Sequence, residues 1–375
     1  MCGRIADEWL TNMRKLLKRA VSLVMASVMV CLLVITAFAA ERENMSIGHY
    51  EYPIKPGTTE WEELGTFSRR IAACRIPEET LDAMTTDALV DAVLDFPFLM
   101  NLMVYNSASE GFDCLLSQCD ALKELLTRED GADKLAEEYA SLTTTLGSKS
   151  VIESKDTMSR EALYPNLLEV ILGQPEVYNE MTENNQYATE IAAKEFNDNK
   201  TSFLDVAIEE NESQITRATT VKTPKGSTVE WIDYSGLPQM TADEKTYYNN
   251  WVKENYTIIS VVRDPNVYYN CHSYAWYSTS SANKVWIPDP SIYMTDGSYT
   301  KKGSASATCK VFVKNDGTET SEIDGLILGD HSGIVNSVSG RTIVVTSKWG
   351  ALGLYKHNVA NSPYSGDHTT YTYWK

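Results

Sequence analysis

The spacing of apolar residues changes once along the chain, and that single change restricts the folds open to it. From residue 61 to about residue 142 apolar side chains recur at intervals of three and four, as in Leu81, Met84, Leu89, Val90, Val93 and Leu94. The same spacing returns from residue 159 to 212, through Leu163, Leu167, Leu168 and Ile171 and then Tyr187, Ile191 and Phe196. This is the repeat of helices that bury one face. Asp87, and the run from Thr127 to Asp130, have the short polar side chains that take up the free backbone donors at helix starts. After Thr257 the repeat becomes that of strands: Ile258 to Val262, Val311-Phe312-Val313, Gly333-Ile334-Val335 and Thr342 to Thr346, with Gly, Asn, Asp and Ser turns between them. Helices come first and strands follow. They predict an α+β protein: an all-helical N-terminal part followed by an α+β domain with a small antiparallel sheet.

At 375 residues the chain exceeds what one core usually organises, which predicts two folded parts behind a leader. Arg14, Lys15, Lys18 and Arg19 precede an uncharged run over residues 20–40 that contains Ala37-Phe38-Ala39. A basic start, an apolar middle and a small-residue cleavage site make a signal peptide of residues 1–39, with Met13 as an alternative start. An uncut leader of that length would instead nearly span a bilayer core of ~30 Å, the one way in which a membrane enters this reading. Either way the remainder leaves the cytoplasm, as a secreted, extracellular or cell-wall-associated protein. Residues 40–60, polar and holding Gly48, Pro53, Pro56 and Gly57, read as a mobile linker. Residues 61–215 form the helical part, and 216–253 a connecting segment with one short helix. Residues 254–375 form the α+β domain.

The leader holds five of the 33 basic and two of the 51 acidic residues, so the rest carries 28 and 49, a net of −21. Nucleic acid and anionic membrane surfaces would repel such a chain, so neither is expected as a partner. Beyond the leader stand Cys74, Cys114, Cys119, Cys271 and Cys309, an odd number that leaves a thiol unpaired in an exported protein. None of these cysteines has the spacing of a zinc site and the whole chain has five histidines, so neither a metal nor another cofactor is expected. The Met and aromatic positions of the helical part read as core, and so do Cys114 and Cys119.

Chemistry concentrates around Tyr269-Asn270-Cys271-His272-Ser273-Tyr274-Ala275-Trp276. A polar residue precedes a cysteine that opens a helix-capable run. At a helix start the positive end of the backbone dipole lowers a thiol's pKa, and the free N–H groups are placed to receive an oxyanion. This makes Cys271 a candidate nucleophile, with Asn270, His272 and Trp349 as candidates for the oxyanion pocket or cleft. The base is sought in Asp330-His331-Ser332-Gly333-Ile334-Val335, where His331 opens a strand among small neighbours. A hairpin at Ser339-Gly340 returns the next strand beside it, so that Ser347 is placed to accept from the ring N–H, with Asn336 and Lys348 as alternatives. Adjacent helical residues diverge by about 100°, which sends His272 away from the thiol and into packing. His357 and His368 read as surface residues. Trp276, Trp286, Trp349 and Tyr293 read as mainly core.

Asn-Cys followed by an aromatic helix, then His-Ser-Gly-Ile-Val on a strand, resembles the NlpC-type peptidoglycan endopeptidases. The Cys-x-x-Tyr-Ala spacing and the hairpin after the histidine strand are equally similar to the CHAP amidases (cysteine, histidine-dependent amidohydrolase/peptidase). Both families have a papain-like fold, and Ser347-Lys348-Trp349-Gly350 is similar to the Asn-Ser-Trp-Gly of papain. The likeness covers residues 257–364. It implies hydrolysis of an amide in peptidoglycan stem peptides through an acyl-enzyme on Cys271, with His331 as base and no cofactor. The chain departs from these families in having Ser347 as the third residue, His272-Ser273 after the cysteine, and Cys309-Lys310 where a Gly-Asp strand opening is usual. An inactive papain-like binding protein and a secreted protease acting on proteins are the alternative readings.

Overall fold

The computed structural model describes residues 46–147, 160–211, 220–234, 236–315, 318–319, 326–366 and 369–375. The leader lies outside them, as does His368. Helices dominate the first half. Those of nine residues or more are α1 (Thr86–Asp95), α2 (Ala108–Gln118), α3 (Gly131–Leu146), α4 (Tyr164–Leu172), α5 (Glu183–Phe196) and α6 (Phe203–Asn211). Their starts follow the capping logic of short polar side chains. Thr85 caps α1 through Ala88 N, Ser107 caps α2 through Glu110 N, and Thr182 caps α5 through Asn185 N. Asp87 lies in the first turn of α1, and Asp130 is the residue before α3. A seventh long helix, α7 (Ala242–Asn255), opens on a capping box in which Thr241 and Glu244 satisfy each other's backbone donors. None of the helices among the described residues is long and apolar enough to cross a membrane.

The second half builds a seven-stranded antiparallel sheet from β1 (Ile258–Arg263), β2 (Lys301–Lys302), β3 (Lys310–Lys314), β4 (His331–Ser339), β5 (Thr342–Lys348), β6 (Leu354–Asn358) and β7 (Thr370–Trp374). Their order across the sheet is β1-β6-β5-β4-β3-β7-β2. The protein is therefore mixed helix and sheet, as the change of period predicts, with a larger sheet than expected. The core of β4, β5 and β6 is a meander, and the hairpin between β4 and β5 turns at Gly340 with φ +57°.

One apolar core runs from the helices into one face of the sheet. It includes Trp61, Phe98, Leu122 and Leu167 on the helical side and Val335, Val345, Trp349 and Tyr355 on the other. The connecting segment contributes Tyr248, Trp251 and Val252 of α7 to that core, and Trp251 Nε1 donates to Pro97 O at 3.1 Å. The expected linker at 40–60 is also held wherever it is described. Ile47 bridges to Met84, and buried Tyr52 donates its hydroxyl to Ala92 O at 3.0 Å. Tyr52 is apolar enough to enter the core, and its hydroxyl has a partner there.

Two glycines record how closely the halves approach. A Cβ on Gly350, which has φ +47°, would lie 2.5 Å from Val104 O and closer still to Met103 O. A Cβ on Gly329 would lie 2.6 Å from Tyr105 Cδ1 and 2.9 Å from Glu110 Cδ. Residues 103–110 thus meet the loops at both ends of the hairpin, 329–331 and 349–351, at distances that only glycine permits.

Candidate active site

Cys271 opens a helical turn that passes into a π-helix over Ser273–Tyr277. Asn270 caps it: Oδ1 accepts from Ser273 N at 3.0 Å and from Ile287 N at 3.2 Å. Asn270 Nδ2 donates to Ile287 O at 2.6 Å and to Asn106 Oδ1 at 3.0 Å. A wide turn of this kind is rare overall and frequent at functional sites.

The Cys271 sulfur is buried, and its Sγ–H donates to Asn106 Oδ1 at 3.2 Å. Removal from water pushes the thiol's pKa well up, and the nearby Glu110 carboxylate adds to this; N–H groups of Ser332 and His272 and the charge of Lys348 pull the other way. The helix start therefore supplies the donors expected of it, but the lowered pKa expected from the dipole is not found. Burial outweighs the dipole in this arrangement.

His331 is the first residue of β4, and alternation along the strand separates it from its neighbour. Ser332 turns toward the cysteine-bearing turn, where its hydroxyl accepts from Trp276 Nε1 at 2.8 Å and meets His272 Nδ1 at 2.8 Å. His331 turns the other way and stacks on Tyr364, with ring centroids 3.7 Å apart and planes at 5°. Neither ring nitrogen of His331 has a hydrogen-bond partner among the described residues. Burial, then the neighbouring His357 and His272, hold its pKa well below the usual imidazole value, so the ring is neutral. The two candidates nonetheless share surroundings: the Ser332 N–H directed at the sulfur is one residue beyond His331, and the Tyr364 that stacks on His331 lies close enough to feel the charge of Cys271.

Ser347 does not orient His331. Ile334 pairs with Thr346 and Val335 with Val345, a register that continues to Gly333 opposite Ser347, whose Cβ lies 3.1 Å from where a Gly333 Cβ would stand. The hydroxyl is engaged with His357 Nε2 at 2.7 Å and accepts from Trp349 Nε1 at 3.2 Å. His357, expected at the surface, is wholly buried on β6. The strand repeat there is too short to read, with Tyr355 and His357 the inward pair and Lys356 and Asn358 flanking the histidine.

His272 packs against Phe312 and Ser332 and does not line an open cleft; burial lowers its pKa to about 3. Trp349 lies in the core against Tyr256 and Tyr355, with no exposed surface. Asn336 bonds to Thr346 across the hairpin. Lys348 is buried, donates to Asn266 O and Gly350 O at 2.8 and 2.7 Å, and lies over the Tyr269 ring. All five cysteines among the described residues are buried and free, so the odd count does not single out Cys271.

Asn106 and Glu110 belong to the site although sequence reasoning missed both. Asn106 reaches the site from the turn before α2, 165 positions before Cys271. Glu110 Oε2 accepts from Asn106 N at 2.7 Å, and Oε1 accepts from Asp330 N at 3.2 Å. Burial raises the Glu110 pKa to about 7, aided by the charge of Asp330 and opposed by those two N–H groups. Ser107-Ala108-Ser109-Glu110 reads only as a helix start, and the partners that bring Asn106 and Glu110 to the site lie in the other half of the chain. No family model matches this sequence, and no curated protein or solved structure matches it significantly.

Proposed function

We propose that this is a secreted cysteine hydrolase of papain-like type that cleaves an amide in the peptide part of peptidoglycan, with Cys271 as nucleophile and His331 as base. One observation carries the reading. A thiol at the start of a helical turn has two backbone N–H groups directed at its sulfur, and one of them, that of Ser332, follows a histidine whose ring nitrogens are unpartnered. A buried polar group without a partner costs ~1–3 kcal/mol and calls for an explanation, and a base kept available for proton transfer is one. In the reaction His331 takes the thiol proton and the sulfur attacks the amide carbonyl carbon. His331 returns the proton to the leaving amine as the C–N bond breaks, and water then cleaves the thioester to restore the thiol. Asn270 Nδ2 and the N–H groups near the sulfur are placed to receive the oxyanion. The choice of peptidoglycan rests on the resemblance of residues 257–364 to NlpC-type and CHAP enzymes, and export rests on the leader.

Mass spectrometry of purified peptidoglycan, incubated with the protein and with Cys271→Ala, tests this. Fragments that depend on the thiol are expected; intact peptidoglycan from several wall types would refute it. The engagement of Ser347 by His357 favours a second reading, a non-catalytic domain of the same shape that serves binding. That reading predicts no thiol-dependent fragments. Peptides released from casein with peptidoglycan left intact would point to a protease acting on proteins.

A further inference from the structure

We propose that residues 103–110 are a built-in occupant of the Cys271 site, with the Asn106 carboxamide seated where the amide of a substrate would lie. The chemistry of the seat carries this. Asn106 Oδ1 accepts from Cys271 Sγ at 3.2 Å and from Asn270 Nδ2 at 3.0 Å, so a carbonyl oxygen lies beside the sulfur and on a side-chain donor. Asn106 Nδ2 donates to Asp330 O at 3.0 Å, which gives the nitrogen of the amide a seat of its own next to His331. A carboxamide is the group that such a hydrolase attacks, and here both its ends are matched. The word substrate rests on the function proposed above; the occupied seat does not.

The occupant is anchored through its backbone as well. Asn106 N donates to Glu110 Oε2 at 2.7 Å, and Asn106 O accepts from Trp286 Nε1 at 2.6 Å. On either side, Ala351 N donates to Met103 O at 2.8 Å and Tyr364 OH donates to Val104 O at 2.5 Å. Tyr105 packs edge-on against Tyr364, the ring that stacks on His331. Asn106 is not consumed because the thiol beside it is protonated and no hydrogen bond joins the sulfur to His331. Ionisation of the sulfur requires the cover to move, and the movement that admits a substrate also returns water to the site. The helical half is thus a restraint on the site as well as a scaffold for it.

The test uses the purified full-length protein and Asn106→Ala, with alkylation of each cysteine by iodoacetamide followed by peptide mass spectrometry. Cys271 should react about tenfold faster in the variant, equivalent to ~1.4 kcal/mol of lost protection. Cys309, buried in the sheet, should not change, which separates an emptied seat from general loosening. Acetamide, a free carboxamide, should slow the alkylation of Cys271 in Asn106→Ala and leave that of the native protein unaltered. If Cys271 reacts at the native rate, if Cys309 accelerates with it, or if acetamide gives no protection, the proposal is overturned. Should Asn106→Ala fail to fold, the native protein decides: Cys271 should be alkylated no faster than the amides of residues 103–110 exchange with solvent, and faster alkylation overturns the proposal. These readouts need no turnover. A protein that passes them and leaves peptidoglycan intact sinks the hydrolase reading and keeps the occupied seat.

Discussion

Gly350→Ala and Gly340→Ala form a matched pair that measures how tightly the helical half is sealed onto the site. Both glycines have positive φ, +47° and +57°, so a side chain at either meets the left-handed penalty of ~1–2 kcal/mol. They differ in what surrounds them. A Cβ on Gly340 meets nothing within 4 Å, whereas one on Gly350 runs into the Met103 and Val104 backbone. Backbone cannot rotate aside as a side chain does, so relief requires residues 103–104 to withdraw and strains the Ala351 N to Met103 O bond. Overpacking of this kind adds ~1–3 kcal/mol. Gly340→Ala is therefore expected to lose ~1–2 kcal/mol, and Gly350→Ala ~2–5 kcal/mol.

Differential scanning calorimetry reads the difference, since each kcal/mol moves Tm by about 2–4 °C in chains of 150–250 residues, and by less in this longer one. Alkylation of Cys271 supplies a second reading. It should accelerate in Gly350→Ala, where the cover is pushed off, and not in Gly340→Ala, where only the distant hairpin turn is strained. Equal losses of Tm, or a faster thiol in Gly340→Ala, would refute the argument that residues 103–104 hold the site closed through that contact.

Ser347→Ala removes the partner of His357 Nε2 and Trp349 Nε1 inside the core, and should cost ~1–3 kcal/mol in urea unfolding. It should leave kcat on peptidoglycan within about twofold of native; a tenfold loss would mean that Ser347 orients His331 after all. Glu110→Gln should alter the dependence of stability on pH. The carboxyl pKa is raised from 4.5 to about 7 in the folded protein, so its contribution is full below about 4.5 and is lost as pH rises through about 7. The groups that face it are Asp330, the buried thiols of Cys114 and Cys271, and Tyr364. Urea midpoints of the native protein and Glu110→Gln should therefore diverge across that window. Parallel curves would show that Glu110 does not titrate there.

The parts of the fold that repeat were legible in the sequence. The three-and-four spacing of Leu163, Leu167, Leu168 and Ile171 is a local property of α4, and the hydrophobic runs after Thr257 become β1, β3, β4 and β5, of which β3, β4 and β5 bury residues in the core while Ile258 and Val261 of β1 pack partly buried against it. Asn270 and Cys271 could also be read, since a cap and a helix start are set by neighbours within four residues. His331 was placed on the right strand and its partner was not. A shift of two residues in register decides whether Ser347 or Trp349 lies opposite it, and a hairpin turn read from sequence does not fix that. The burial of His357 escaped notice because Tyr355 and His357 alternate inward over a strand of only five residues, with Lys356 and Asn358 on either side of the histidine, which is too short a pattern to read.

What the sequence could not carry is the relation between its halves, and that relation governs the chemistry. A thiol at a helix start reads as activated when only its own neighbours are considered. In the fold it is buried, with Asn106 against its sulfur and the Glu110 charge nearby, both more than 160 positions away in the chain, and the sign of the pKa shift reverses. The reversal need not count against catalysis. Desolvation and the two backbone donors act on the same sulfur in opposite directions, and residues 103–110 bring the Glu110 charge, which also raises the pKa, and the Asn106 carboxamide that lies against the sulfur. Ser332 and His272 hold their N–H groups on the sheet and the helical turn, independent of the cover. Removing the cover takes away the Glu110 charge and admits water, both of which favour the thiolate, and leaves the two backbone donors in place. A site built this way stays inert while closed and gains its nucleophile by the movement that admits a substrate.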